Sequence, residues 1–145
     1  MEESILIRCD NCKTLNKVLK SKLFDGPVCG KCKNKIIVYN KPVVVTDANF
    51  YDQVLNSAQV VVVDFYASWC GPCKMFAPVF ESFASKFAGQ VKAVKIDTEI
   101  SHSTSARYGI QSIPTLVIFK NGQEVKRISG ALSEPQLENL VAPYL

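Results

Sequence analysis

Histidine occurs once in this chain, at position 102, and that scarcity removes the commonest general bases and metal ligands from consideration. His102 follows Ser101 at a helix start with no motif around it, so it reads as a surface residue. There is no glycine-rich phosphate loop, which excludes direct nucleotide chemistry of that kind. Asp97 and Glu99 have no nucleophile-positioning motif beside them, so they do not form a hydrolytic carboxylate pair. No apolar run is long enough to span a bilayer; the longest ends at Asp64 after a handful of residues. The start, Met1-Glu2-Glu3-Ser4, is acidic and lacks the basic segment and apolar core of a secretory signal, so the chain as written is expected in the cytoplasm.

What is present is a chain long enough for one well-buried domain and a small appendage, with 48% apolar and 21% charged residues, as in a soluble globular protein. The net charge of +4 is uneven: residues 1–40 hold eight Lys/Arg against four Asp/Glu, and residues 41–145 hold nine of each. Six cysteines would suggest a disulfide framework in a secreted protein; in a reducing compartment, paired C-x-x-C units point to metal or redox chemistry.

Two of those units, Cys9-Asp10-Asn11-Cys12 and Cys29-Gly30-Lys31-Cys32, are separated by sixteen residues. That spacing fits a tetrahedral zinc site in which each knuckle gives two thiolates; the alternatives are a pair of disulfides or four free thiols. The segment has too little apolar surface to fold alone, so metal would supply the missing free energy. Four protein ligands leave no open position, which makes such a zinc structural. Four thiolates and one Zn²⁺ bring the segment from +4 to about +2. Its lysines are spread out without interleaved aromatics, so a solvated surface is preferred over a nucleic-acid patch. Ile5-Leu6-Ile7 and Ile36-Ile37-Val38 are expected to be short strands, and Asp25-Gly26-Pro27 a turn.

Tyr39-Asn40-Lys41-Pro42 reads as a junction, giving domains at 1–38 and 42–145. Beyond it, Val43-Val44-Val45 reads as a strand, and Thr46 or Asp47 as the cap of a helix carrying Phe50, Val54 and Leu55. Val60 to Ala67 is β-branched and aromatic, the pattern of a buried central strand. A long helix follows from about Cys70 to Ala88, with Pro78 kinking it and Gly89 ending it. Val91–Ile96 is the next strand and Ser101–Tyr108 a short helix closed by Gly109. Thr115–Phe119, Asn121-Gly122 and Glu124–Ser129 form a hairpin. Ser133, Pro135 and Gln136 open the last helix with a capping box. This order calls for an α/β fold, a mixed central sheet with helices on both faces.

The third C-x-x-C unit differs in context. Trp69-Cys70-Gly71-Pro72-Cys73 lies where the central strand hands over to a helix N-terminus, whose free N–H groups and dipole favour a thiolate. Three residues' spacing in the first turn brings both sulfurs onto one face, close enough to bond. Cys70, before the helix body, is expected to be the more exposed attacking sulfur, and Cys73 to resolve the mixed disulfide. An inert buried pair would not account for Trp69 and Pro72 flanking it. No charge lies between the cysteines, which favours a reductant over an oxidant. Asp64, a lone carboxylate in the buried strand, should have a raised pKa and is a candidate proton shuttle for Cys73 through a water. Lys95 on the neighbouring strand would hold its charge; a purely structural Asp–Lys pair is the alternative.

Val63-Asp64-Phe65, Trp69 to Lys74, Tyr108-Gly109-Ile110, Ile113-Pro114-Thr115 and Phe119 to Gly122 resemble the thioredoxin family in order and spacing, over about residues 42–145. With its preceding four-cysteine zinc ribbon the whole chain resembles the bacterial thioredoxin-2 type. The resemblance implies a thioredoxin fold and a protein-disulfide reductase serving cell redox homeostasis, recycled by a flavin-dependent thioredoxin reductase through which NADPH acts indirectly. It implies the Asp64–Lys95 pair as part of the catalytic machinery. It implies a cis bond before Pro114 that frees the Ile113 backbone for an extended substrate strand, an ordinary trans turn being the alternative. Trp69, Gly71, Pro72, Ile113, Pro114, Gly130 and Ala131 would form the docking patch. The expected cofactor is one structural zinc, held by Cys9, Cys12, Cys29 and Cys32, with no bound organic cofactor. Disulfide-containing proteins are the expected substrates and a monomer the expected state. Two other functions stand beside this one: a disulfide isomerase or dedicated peroxidase reductant, and a zinc-ribbon adaptor that binds partners. Tyr66 stands where many members carry a second tryptophan, and no glycine follows Cys12, which leaves the shape of the first knuckle open.

Overall fold

The computed structural model describes residues 2–145, so Met1 of the acidic start lies outside it. The first cysteine knuckle is embraced by a small antiparallel sheet, β1 (Ser4–Arg8) and β2 (Leu15–Leu19), in register Ser4↔Leu19 to Arg8↔Leu15. This corrects the strand expected at the second apolar flank. Ile36–Val38 is not a strand; the chain there makes only an isolated bridge, Val28↔Lys35, and Ile36 packs into the small core instead. The strand that pairs with β1 is β2, directly after the first knuckle. Ile7, Val18, Leu23, Cys9, Cys29 and Ile36 are the buried centre of this unit, a core made largely around the thiols.

The remainder is built on a mixed five-stranded sheet in the order β3-β5-β4-β6-β7: β3 (Val43–Val44), β4 (Val60–Tyr66), β5 (Val91–Asp97), β6 (Thr115–Lys120) and β7 (Gln123–Ser129). β3, β5 and β4 run parallel to one another, while β6 is antiparallel to β4 and β7 to β6. β4 is buried on both faces, as its continuous apolar run requires. Alternation sends Val60 and Val62 to a core beneath α1 (Gly71–Lys86) and α3 (Glu134–Val141), where Phe76, Phe80 and Phe83 stack. Val61, Val63 and Phe65 enter the opposite core with Phe50, Val54 and Phe119, near α2 (His102–Arg107). The capping box of α3 is complete: Ser133 Oγ accepts from the Gln136 N–H, and the Gln136 side chain accepts from the Ser133 N–H.

The helix expected after Thr46 is a single turn of π-helix, Tyr51–Leu55. Asp47 does not cap it. Its carboxylate accepts from the N–H groups of Ser103 and Thr104 and from the Thr104 hydroxyl, so it serves the start of α2 more than fifty residues away. Those three bonds hold its pKa below the usual carboxylate value.

The small unit sits against the edge of the large sheet where β4 and β5 begin, the end away from the helix-start cysteines. Gly89, at φ +87°, lets Leu23 approach so closely that an added Cβ would lie 2.8 Å from Leu23 Cδ1. Its carbonyl accepts from Gln59 Nε2. Beside it, Tyr39 donates its hydroxyl to Asp10 of the first knuckle, and the Lys92 ammonium lies over the Tyr39 ring while donating to Gln53.

Candidate functional site: a helix-start dithiol and a four-thiol cluster

Cys70 is the N-cap of α1, with extended backbone (φ −81°, ψ 117°), and Pro72 fills the first turn, where its missing N–H is no loss. The sulfur of Cys70 accepts the Cys73 N–H at 3.2 Å. The two cysteines are joined as a disulfide, their Cα atoms 5.2 Å apart. In this position the helix supplies an N–H and the positive end of its dipole to Cys70, the sulfur that caps it.

The expected difference in exposure is absent. Cys70 is 4% and Cys73 5% exposed, and both pack with Ala67, Tyr66 and Ile113. What separates the two sulfurs is therefore their place on the helix, not their access to water: one caps it and receives its N–H, the other lies one turn inside.

Asp64 is on β4, six residues before Cys70, and only 1% exposed. Burial pushes its pKa up to about 7, with the Lys95 charge pulling in the opposite direction. Its Oδ1 is buried with no hydrogen-bond partner among the described residues. Lys95 is the residue facing it on β5. The Lys95 ammonium lies over the Tyr66 ring, 4.6 Å from its centroid. A small cavity of about 100 Å³ is lined by Cys73, Lys95, Tyr66 and Ala77, space enough for water between the helix start and the strands.

Of the expected patch, Ile113 packs on the cysteines and Gly130 bonds to Pro114. Trp69 is 65% exposed, Gly71 and Pro72 are exposed or nearly so beside it, and Ile113 and Gly130 are half-buried. Ala131 is exposed. Pro114 is buried, its carbonyl accepting the Gly130 N–H at 2.8 Å; the Ile113–Pro114 bond is cis. The Ile113 carbonyl oxygen lies 3.9 Å from Cys70 Sγ. Neither the N–H nor the carbonyl of Ile113 has a backbone partner among the described residues. One member was missed: the Trp69 indole N–H donates to Glu99, which holds the exposed ring in place. Their separation of thirty positions leaves no local signal by which sequence could have paired them.

At the other end of the molecule, Cys9, Cys12, Cys29 and Cys32 converge, their sulfurs all within 4.8 Å of one another. The two knuckles are built alike. In each, the residue after the second cysteine takes a left-handed conformation, Lys13 at φ 65° and Lys33 at φ 66°, and its N–H reaches back to the carbonyl of the first cysteine. Each lysine also folds its ammonium onto a carbonyl of its own loop, Asp10 or Gly30, at 2.8 Å. The missing glycine after Cys12 thus changes nothing in the shape. Cys29 Sγ accepts from the Asn16 amide and the Lys31 N–H, both at 3.4 Å. Backbone N–H donation, led by Cys32, together with Asn16 lowers the Cys29 thiol to about 6. Four convergent sulfurs with N–H groups aimed at one of them suit a thiophilic divalent ion.

Comparison with known proteins places both parts. A family model described as Thioredoxin matches residues 41–143, and one described as Thioredoxin 2, N-terminal, matches residues 8–34. The chain is 48% identical over 101 residues to Thioredoxin 1 of Synechococcus elongatus, covering 70% of this chain and 94% of that protein. It is 46% identical, over the same shares, to Thioredoxin of Haemophilus influenzae. With Thioredoxin M-type, chloroplastic, of Pisum sativum, the identity is 41%, covering 73% of this chain and 62% of that one.

Proposed function

The chain belongs to the thioredoxin family, with the zinc-ribbon type of thioredoxin 2 at its start, and on that footing we propose how its own residues carry out protein-disulfide reduction. Cys70 attacks as a thiolate. It displaces one sulfur of a substrate disulfide, which leaves as a thiolate, and forms a mixed disulfide. Cys73 then attacks Cys70 Sγ, the second substrate sulfur leaves, and Cys70–Cys73 closes. Two electrons pass from the dithiol to the substrate, and a separate reductase restores the dithiol.

The observation carrying this assignment of roles is the Cys73 N–H donated to Cys70 Sγ at the helix cap, which stabilises charge on that sulfur. Asp64, pushed up to about 7, takes the proton of Cys73 through a water, so that the resolving sulfur is a thiolate when it is needed. Lys95 acts as a positioning charge, keeping the buried carboxylate able to ionise near neutral pH. Trp69, Gly71, Pro72, Ile113, Pro114, Gly130 and Ala131 form the docking patch, with the free Ile113 N–H and carbonyl pairing with an extended substrate strand.

Cys9, Cys12, Cys29 and Cys32 would hold one Zn²⁺, which would supply folding free energy and no open coordination position. Residues 1–38 are then a ribbon domain and 42–145 the redox domain of a cytoplasmic protein. Insulin reduction by dithiothreitol tests the function. The wild type should accelerate it and Cys70→Ser should not; equal activity of the two would refute the assignment.

A further inference from the structure

The ribbon's outer face is apolar and basic, and the redox domain covers it only in part. Register sets Ser4 opposite Leu19, Leu6 opposite Lys17 and Arg8 opposite Leu15, all on one side of the β1–β2 sheet. The other side, Ile5, Ile7 and Val18, packs into the ribbon core. On the outer side Leu6, Leu15 and Leu19 are 41–47% exposed, an apolar stripe flanked by two cations. A two-stranded sheet needs only its inner face to close the core, so these leucines are not explained by the ribbon's own folding.

Leu6 divides two hollows between this face and the redox domain. One, of about 290 Å³, is bounded by Leu6 together with Ile5 of the inner side, and by Ala58, Val60, Lys120 and Leu145 of the redox domain. The other, of about 280 Å³, is bounded by Leu6, Arg8, Leu15, Leu55, Asn56 and Asn121. No acidic side chain lines either hollow, while Arg8 and Lys120 do. The neighbouring acids are engaged elsewhere: Glu3 pairs with Lys20, and Glu2 accepts the Ser21 N–H. Arg8 gives its Nη1 to the Lys13 carbonyl at 3.1 Å, but its buried Nε has no partner among the described residues.

We propose that this face and its two hollows are a docking surface for an extended, acidic and apolar segment of a partner protein. Its apolar side chains seat on either side of Leu6, and its carboxylates meet Arg8, Lys17 and Lys120. β4 separates the surface from the dithiol by roughly 20 Å, at about 3.3 Å per residue, so a protein held there leaves Cys70 free to work. The ribbon then recruits while the other domain reduces.

The test uses the full-length, ¹⁵N-labelled, metal-loaded chain and two synthetic hexapeptides, one alternating glutamate with leucine and one alternating lysine with leucine. The acidic peptide should shift the amide signals of Leu6, Leu15, Lys17 and Asn121 and leave Trp69 to Cys73 unmoved, and added salt should weaken it. The basic peptide should not bind. Lys17→Glu, at an exposed position where folding is not at stake, should weaken the acidic peptide about threefold, as one exposed charge pair would. Leu6→Asp should abolish binding. Equal binding of both peptides, binding of neither, or shifts confined to the dithiol face would overturn the proposal. So would self-association of the peptide-free chain that Leu6→Asp removes, because the occupant would then be a second copy.

Discussion

Asp64 and Lys95 face each other on paired strands and yet form no ion pair: the lysine ammonium lies over the Tyr66 ring, and one carboxylate oxygen of Asp64 has no partner among the described residues. A buried carboxyl left this way favours its protonated form, and Lys95 moderates the effect from a distance. In the unfolded chain the carboxyl titrates near about 4. Below that pH both states hold the proton. Between about 4 and about 7 the unfolded state releases it while the folded state keeps it, so stability falls as pH rises, and the full penalty stands above 7. The displacement corresponds to at most about 4 kcal/mol. Asp64→Asn should therefore raise unfolding stability at pH 8 by about 2–4 kcal/mol and flatten its dependence between pH 4 and 7, as read by urea melts. A loss of stability at pH 8 would mean that the carboxylate is satisfied when charged.

The same substitution should separate the two chemical steps. If Asp64 serves Cys73, then Asp64→Asn slows resolution of a preformed mixed disulfide by about tenfold or more, on the order of what a positioned base supplies, and hardly changes the first attack. Cys73→Ser should accumulate the mixed disulfide, seen as a mass increase equal to the substrate thiol less the two lost hydrogens, and Cys70→Ser should give no adduct. An adduct on Cys70→Ser alone would reverse the roles, equal adduct formation by both variants would abolish the distinction, and equal slowing of both steps would remove the proton shuttle.

Much of the fold is readable along the chain because it is local. The Val60–Tyr66 run, the Asn121-Gly122 turn, the Ser133 capping box and the strand-to-helix placement of Cys70 each depend on neighbours in sequence. β2 is not readable in this way, since Leu15–Leu19 becomes a strand only by pairing with β1, and Ile36 and Val38 are apolar for packing rather than for sheet formation. Asp47 reads as a cap for the helix beside it, but its carboxylate serves one far along the chain. The relative exposure of two cysteines in one turn depends on what packs over both, Tyr66, Ala67 and Ile113, and their spacing carries no information on that.

The four-thiol cluster predicts a metal-dependent ribbon. Protein purified under reducing conditions should contain one zinc per chain, released by a thiol-modifying reagent, and its absence would remove the site. On release, amide exchange should accelerate across Ser4–Leu19 while β4 and β5 keep their protection. Asn16 donates to Cys29 Sγ and accepts the Gly30 N–H, fixing the second knuckle from β2. Asn16→Ala should thus weaken zinc binding by about tenfold or more in a chelator competition, although it removes no ligand.

Lys92 offers a test of how firmly the ribbon is seated. It is 4% exposed, donates to Gln53 and lies over Tyr39, which in turn holds Asp10 of the first knuckle. Burial lowers its pKa to about 8, with Asp10 opposing that and Lys13 adding to it. A lysine in the unfolded chain titrates near about 10.4. Above that pH both states are neutral; between about 10.4 and about 8 the unfolded chain takes up a proton that the folded one refuses, and below 8 the full penalty is present. Lys92→Met removes this penalty. It should stabilise the protein at pH 7 by on the order of 2 kcal/mol and by little or nothing near about pH 10.5, measured as the difference from wild type at each pH. A variant less stable than wild type at pH 7 would show instead that the Gln53 and Tyr39 contacts outweigh the cost of burying the charge, and that Lys92 is a fastening between the two parts of the chain.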